Sequence, residues 1–159
     1  MTLEEVELRP LERAYQSVLR ARAAGSASVA LVAALLLEVA LWDRGPPPGA
    51  VAGPVLAWAL WSVLVAPSRR WRRWGFAFTG RELHVASGWL TQVHTIVPVR
   101  RVQHIDLAQG PIERRHGLAA LVLHTAGTEH SRVSLPGLLR EEAEAIRDAI
   151  RGSIEREER

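Results

Sequence analysis

Two pairs of adjacent arginines in the middle of the chain have the residue type and spacing to bind an anion. They are Arg100 and Arg101, and Arg114 and Arg115. A guanidinium group presents a planar fork of N–H donors that fits a phosphate or a carboxylate. The pairs therefore predict a cationic pocket for a phosphate, a lipid headgroup or a carboxylate, or a contact surface for a partner. The structural alternative is that one arginine ties Asp106 or Glu113 into the domain as an ion pair.

Six histidines are the other candidate ligands, at positions 84, 94, 104, 116, 124 and 130. A hairpin that turns near Trp89 with a three-residue loop would place His84 opposite His94, close enough to share a metal ion. A two-residue loop would instead place His84 opposite Val93. The sequence offers no obvious third ligand, so we expect separate histidines at the surface or at sheet edges and no metal site.

Enzymatic chemistry has no recognisable motif in this chain. There is no nucleophile elbow, no glycine-rich phosphate loop and no paired-carboxylate signature. The chain has no cysteine, which excludes disulfides, thiolate catalysis and cysteine-based zinc sites. We therefore expect a non-enzymatic protein without catalytic residues or a cofactor.

A run of alternating arginines and tryptophans forms a basic collar that consists of Arg69, Arg70, Trp71, Arg72, Arg73 and Trp74. Arginine interleaved with tryptophan also occurs on surfaces that stack nucleic-acid bases. This collar directly follows a long apolar run, however, where arginine fixes membrane topology and tryptophan lies at the interface. We interpret the six residues as membrane-interface contacts and expect the lipid bilayer, not nucleic acid, as their partner.

The element before the collar is a hydrophobic hairpin. Residues 23–41 contain one charged residue, Glu38, residues 49–66 contain none, and a short Pro-rich connector joins the two runs. Either run is long enough to cross a hydrocarbon layer of about 30 Å as a helix. A buried hairpin in a soluble domain would need a polar face, and a cleaved signal peptide would need a shorter run with a cleavage site. We predict a two-helix transmembrane hairpin over residues 23–66.

Arginine counts set the expected orientation. Four arginines precede the first run and four lie in the collar, whereas the connector has only Arg44. The positive-inside rule predicts a multi-pass protein of the inner or plasma membrane with both termini in the cytoplasm. Residues 1–22 are then a cytoplasmic amphipathic segment at the interface, with Pro10 in the first turn of a short helix. We expect Glu38, close to the outer interface, to reach headgroup water, and ion or proton movement is the alternative role.

From residue 75 the apolar periodicity changes to that of β-strands. Short alternating segments separated by Gly-containing turns predict six strands, and residues 118–125 form an unbroken apolar run typical of a central strand. Pro136-Gly137 is expected to open a helix with Leu139, Ala143, Ile146 and Ile150 on its apolar face and Gly152 at its end. We predict an α+β chain with an antiparallel β-barrel of six to seven strands capped by this helix, over residues 67–152. Residues 153–159 are expected to form a charged tail.

This order of elements, together with the segment 96–118, resembles a known family. The positions that carry the resemblance are Pro98, Arg101, Gln103, Ile105, Gln109, Gly110, Arg114, Gly117 and Leu118, followed by His124-Thr125-Ala126-Gly127 and Ser134 to Leu138. They resemble the bacterial pleckstrin-homology (PH)-like domain of the second type, as found in YdbS-like membrane proteins. The resemblance covers about residues 10–150. It implies a PH-like fold of seven strands and a helix, with residues 112–116 as strand or helical turn, and no catalytic residue.

The same resemblance implies an integral membrane protein that is often paired with a larger relative carrying several such domains. We therefore expect a membrane-anchored binding or scaffolding module, in a complex with another PH-like membrane protein or as a homo-oligomer. One alternative is a lipid-headgroup or small-anion sensor that uses the arginine pairs. The other is a subunit of a transport or antimicrobial-peptide-resistance complex, in which the hairpin carries specificity.

Overall fold

The computed structural model of the chain describes residues 6–43, 45–88, 91–126 and 132–157. The chain divides into two compact units. One, the helical unit, runs from Gln16 to Arg69. The other, the β unit, combines the residues up to Tyr15 with those from Arg70 onward. The β unit is therefore assembled from both sides of the hydrophobic hairpin, whereas the sequence suggested a domain that begins only at residue 67.

The helical unit contains one helix that is long and apolar enough to cross a membrane. Helix α1 covers Ala14–Ala40, and its 27 residues rise about 40 Å, more than the hydrocarbon thickness of about 30 Å. Helix α2 covers Ala52–Leu64 and has 13 residues, which rise only about 20 Å. Within the described ranges, one helix of the predicted two therefore has the length and composition to span a membrane.

A short helix continues the chain after α2. Helix α3 covers Ala66–Trp71. Val65 between them keeps right-handed helical angles and donates its N–H to the carbonyl of Trp61 at 3.0 Å. Pro67 has no N–H group to donate to the carbonyl of Val63, four residues earlier, and its ring crowds that carbonyl, which accounts for the interruption at this point. The N–H of Arg69 then bonds to the carbonyl of Val65 at 3.3 Å, so helical hydrogen bonding resumes across the break.

The β unit consists of two antiparallel sheets. The first contains, in spatial order, β1 (Arg9–Pro10), β2 (Gly75–Phe78), β3 (Glu82–Ser87) and β4 (Val93–Pro98). The second contains β5 (Val102–Ala108), β6 (Leu118–Thr125) and β7 (Arg132–Leu139). A 3-10 turn, Val99–Arg101, joins the sheets, helix α4 (Pro111–Arg115) follows β5, and helix α5 (Arg140–Glu157) follows β7. Helix α4 is the helical turn that was one of two expectations for residues 112–116.

The seven strands do not close into the predicted barrel. Among the described residues β4 pairs only with β3 and β5 pairs only with β6, so each sheet keeps a free edge at the connection between them. The seventh strand is β1, at the N-terminal side of the spanning helix. The sequence analysis assigned Pro10 to the first turn of a helix, and the structure instead places it in this two-residue edge strand, where a missing N–H is tolerated.

The core of the β unit lies along β6 and the inner face of α5. Leu118, Leu121 and Leu123 of β6 are completely buried, as expected for the central strand of its sheet. Ala143, Ile146 and Ile150 of α5 are buried at helical spacing, which confirms most of the predicted apolar face. Leu139 is the exception, since it belongs to β7 and remains largely exposed.

Two predicted boundaries of α5 were wrong. Pro136-Gly137 does not open the helix but lies inside β7, where Gly137 has a φ of +71° next to a shift in the β6–β7 register. This combination is a β-bulge, which extends the strand past the turn-forming residues. At the other end, α5 continues through Gly152 to Glu157, so Gly152 does not stop the helix and the expected tail is in part helical.

Candidate functional site

Helix α1 presents apolar side chains outward over most of its length. Only 11 % of its most apolar 18-residue window is buried. The exposed large side chains are Val29, Val32, Leu35, Leu36, Leu37 and Val39. An apolar surface of this extent is unfavourable in water and is typical of a helix that faces lipid.

Glu38 lies within this helix, and its carboxylate is bonded to the main chain at the start of α2. One carboxylate oxygen accepts the N–H of Gly49, and the other accepts the N–H of Ala52 at 3.1 Å. The first N–H groups of a helix have no partner inside the helix, and an acidic side chain there satisfies them and interacts favourably with the helix dipole. Glu38 of α1 therefore connects α1 to the start of α2 through two hydrogen bonds. The sequence gives no indication of this structural role.

The collar residues have different surroundings. The four arginines, Arg69, Arg70, Arg72 and Arg73, are exposed, and Trp71 and Trp74 are half-buried. The indole N–H of Trp71 donates to the carbonyl oxygen of Leu11 at 3.0 Å and to that of Glu12 at 3.1 Å. Trp71 therefore has a structural function inside the β unit, and a role of the six residues as membrane-interface contacts stays a prediction.

Trp71 belongs to a group of contacts that we call the junction cluster: Leu11, Glu12, Tyr15, Trp71 and Gly137. The N–H of Glu12 donates to the carbonyl of Gly137 at 3.1 Å, and a Cβ added to Gly137 would lie 2.6 Å from the ring of Tyr15. Leu11 and Tyr15 are buried. The cluster fixes, within the β unit, the point where the chain leaves toward α1 and the point where it returns after α3.

The structure does not bring the two arginine pairs together. Arg100 and Arg101 lie in the 3-10 turn before β5, and Arg114 and Arg115 lie in α4 after it. The seven residues of β5 separate them by about 20 Å. All four side chains are exposed, so a single pocket formed by both pairs is not present in the described structure.

The acidic residues considered as partners of these arginines differ in environment. Asp106 is exposed and lies 3.1 Å from the Nε2 atom of His124. Glu113 is buried, and its carboxylate lies against Gly110, where an added Cβ would be 2.5 Å from one carboxylate oxygen. Of the two carboxylates considered, Asp106 thus contacts a histidine, and no ion pair of Asp106 with an arginine occurs within the described residues.

One arginine of the first pair faces a different set of residues. Arg100 lines an open cleft of about 710 Å³ together with Arg81, from the β2–β3 turn, and Arg156, from the last turn of α5. The sequence analysis did not single out Arg81 or Arg156. No sequence signal links them, because they are far apart in the chain and meet only through the packing of α5 against the sheets.

The observed pairing of His84 and His94 across β3 and β4 differs from both predicted hairpins. His84 pairs with Ile96 and His94 pairs with Ala86, so neither predicted loop length is correct. The two rings lie diagonally, with centroids 5.6 Å apart. His84 is buried, its Nε2 atom lies 3.4 Å from Glu82, and no group of three metal-binding side chains occurs among the described residues. His130 lies outside the described residues.

Comparison with known families decides what kind of domain this is. The sequence profile described as Bacterial PH domain matches residues 19–154, most of the chain. The chain belongs to the bacterial PH domain family. The α+β architecture, with antiparallel sheets followed by a C-terminal helix, agrees with the resemblance found in the sequence.

A bacterial relative adds the membrane context. Over 89 residues the chain is 37 % identical to a Bacillus subtilis (strain 168) protein named UPF0699 transmembrane protein YdbS. The aligned stretch is 56 % of this chain and 54 % of the relative, so the chain spans about half the length of the curated relative that it matches. No solved structure matches the chain. The relative is a transmembrane protein by name, and α1 gives this bacterial PH domain protein a helix of membrane-spanning length and composition.

Proposed function

We propose that the protein is a non-enzymatic, multi-pass protein of the cell membrane whose bacterial PH domain is a membrane-anchored binding and scaffolding module. Its termini and its β unit lie in the cytoplasm. It works in a complex with another PH-like membrane protein or with a second copy of itself. The polar connector between α1 and α2 lies on the outer side.

The junction cluster is the observation that carries this proposal. Helix α1 begins at Ala14, four residues after β1 ends, and α3 ends at Trp71, four residues before β2 begins. Both connections are fixed by hydrogen bonds to buried or half-buried residues of the β unit. A membrane-crossing α1 therefore holds the domain on a short, ordered tether, so partners confined to the same membrane meet it at a high effective concentration.

The same tether supports a second crossing by residues 49–66. A chain that leaves the β unit at Tyr15 and returns to it at Arg70 must cross the membrane twice if α1 crosses it once. Residues 49–66 carry no charge, and helical hydrogen bonding resumes in α3 after the interruption that follows α2. Arginine precedes α1 and follows α2, as the positive-inside rule requires for cytoplasmic termini.

The free edges of the two sheets are the surfaces that we assign to a partner. An exposed strand edge presents unpaired N–H and C=O groups that an incoming strand can satisfy. The edge strand β4 also exposes Val93 and Ile96, which are 48 % and 50 % accessible. Main-chain pairing supplemented by these side chains is a binding mode suited to a module with no catalytic residues.

Site-specific photo-crosslinking in native membranes tests this proposal. A photoreactive amino acid is placed at Ile96 on β4, and in a matched control at Ala145 on the exposed face of α5. Capture of a PH-like membrane protein, or of a second copy of the chain, from position 96 and not from 145 supports the proposal. Absence of any captured protein, or equal capture from both positions, contradicts it.

Replacement of the hairpin distinguishes a scaffold from a subunit whose specificity lies in the membrane. Residues 23–66 are exchanged for an unrelated two-span hairpin, and the crosslink from Ile96 is measured again. The scaffold proposal predicts that the crosslink persists, because recognition lies in the β unit. Loss of the crosslink in a correctly inserted chimera would favour a transport or antimicrobial-peptide-resistance subunit.

A further inference from the structure

The open cleft lined by Arg81, Arg100 and Arg156, which we call the arginine cleft, combines three cations from three different elements. Thr79 of the β2–β3 turn and Ser153 of α5 add hydroxyl groups to its lining, and Glu82 is its acidic member. The charge of these side chains is three positive against one negative.

The backbone that carries the three arginines is cross-linked by hydrogen bonds. The carbonyl of Arg81 accepts the N–H of Val99 at 2.9 Å, which ties the β2–β3 turn to the turn that holds Arg100. The hydroxyl of Ser153 lies 3.5 Å from the carbonyl of Gly80 and accepts a hydrogen bond from Arg156 at 3.2 Å. The cations are thus attached to a defined frame, which reduces the entropy lost when a ligand binds.

The positive charge of the cleft is not neutralised from within. The carboxylate of Glu82 lies 3.4 Å from His84, and its main chain is held by Thr79 in the tight turn. Within the described residues, Arg81 and Arg100 have no ion pair with a carboxylate.

We infer that the arginine cleft is a binding site for a phosphate-bearing anion. A guanidinium group binds two phosphate oxygens at once through parallel N–H donors. A single arginine can bind both oxygens of a planar carboxylate. Three arginines on three elements therefore suit a phosphate group better, because it offers more oxygens and more negative charge. The site adjoins the end of edge strand β4 at Pro98, and it involves neither Arg114 nor Arg115.

The test is a phosphate titration of the full chain in phosphatidylcholine nanodiscs. Inorganic phosphate and glycerol 3-phosphate are the probes, and the Nε–Hε signals of the arginine side chains are the readout in NMR spectra. We expect saturable shifts at Arg81, Arg100 and Arg156. Arg100→Gln is expected to weaken binding about tenfold, the size of effect typical for one lost charge-assisted contact.

Arg115→Gln is the matched control, since Arg115 is an exposed arginine at the other end of β5. It should leave the affinity unchanged. Arg81→Gln and Arg156→Gln provide independent variants if Arg100→Gln alters the amide spectrum of the fold. The inference is overturned if neither probe saturates below about 10 mM, a binding free energy too weak for a specific site, or if Arg115→Gln weakens binding as much as Arg100→Gln.

A second set of nanodiscs, containing one part of phosphatidylglycerol to two of phosphatidylcholine, distinguishes the two sources of a phosphate group. If a lipid headgroup is the ligand, the Arg100 signal is displaced before any phosphate is added, and the Arg115 signal is not. If a free phosphate compound is the ligand, the Arg100 signal moves only during the titration. Either result supports the site and names its ligand.

Discussion

The indole N–H of Trp71 lies 3.0 Å from the carbonyl oxygen of Leu11, although 60 positions separate them in the chain. The hydrophobic hairpin occupies the intervening sequence, so this contact joins its two ends within the β unit. Leu11 is almost completely buried beside it. A residue that the sequence pattern assigns to the membrane interface thus also connects the two ends of the hairpin within the β unit.

Trp71→Phe removes the indole N–H and retains most of the ring. We expect a loss of stability of about 1 kcal/mol, the usual contribution of a hydrogen bond to folding. The amides of Arg9, Leu11 and Glu12 should exchange faster in hydrogen–deuterium exchange of the chain in nanodiscs. Trp74→Phe is the control, because its side chain makes no such contact to Leu11. Equal effects of the two variants would show that the hydrogen bond is not the cause.

Gly137→Ala is expected to destabilise the β unit by about 2–4 kcal/mol. Two costs add: the φ of +71° is strained for alanine, and the new Cβ would lie 2.6 Å from the ring of Tyr15. Gly117→Ala shares a positive φ of +67° but has open space around its Cβ, so it should cost only about 1 kcal/mol. Chemical denaturation of both variants measures the difference, and similar values would contradict the packing of Tyr15 on Gly137.

Glu38→Ala should loosen the start of α2. The variant removes the acceptor of the Gly49 and Ala52 N–H groups, and we expect the exchange of these two amides to accelerate about tenfold or more. Glu38→Gln keeps one carbonyl oxygen and should have a smaller effect. If neither variant changes the exchange of these amides, the hydrogen bonds of Glu38 to the start of α2 are not formed in the membrane.

Glu142→Gln should stabilise the β unit at neutral pH. Burial raises the pKa of the Glu142 carboxyl above its ordinary value of 4.5, the nearby charge of Glu12 raises the pKa further, and Arg9 opposes the shift. A raised pKa means that the folded state is penalised once the carboxyl is ionised, and that the penalty disappears as the pH falls below the ordinary value. Because the group is partly solvated, the gain should be under about 1 kcal/mol at pH 7.5.

The same variant should have no advantage below pH 4, where the native carboxyl is protonated in both the folded and the unfolded state. Thermal unfolding of the two proteins at pH 7.5 and pH 4 checks this. An advantage of Glu142→Gln that is equal at both pH values would show that ionisation of Glu142 is not the cause.

The parts of the fold that the sequence predicts are those with long, regular apolar periodicity. Strand β6 corresponds to the unbroken run of residues 118–125, and α5 buries Ala143, Ile146 and Ile150 at helical spacing. In these segments burial of one face decides the local structure, and that burial is visible as a pattern.

The remaining parts depend on contacts between distant segments. Strand β1 has two residues, too few for any periodicity, and exists because β2 offers it an edge. The register of β3 and β4 depends on the length of the turn between them. Because the predicted length was wrong, the cross-strand partner of His84 is Ile96 and not His94. The arginine cleft cannot be predicted from the sequence for the same reason, since its three arginines are brought together only by tertiary packing.

Single-cysteine labelling measures the proposed membrane topology. Because the chain has no cysteine, each introduced residue reports alone. Three exposed positions are suitable: Glu7→Cys before β1, Ala50→Cys before α2 and Ser134→Cys in β7. We predict that a membrane-impermeant maleimide labels Ala50→Cys in intact cells and the other two only after the membrane is opened. Labelling of Ser134→Cys in intact cells, or release of the protein from membranes by alkaline carbonate, would contradict a cytoplasmic, membrane-anchored bacterial PH domain.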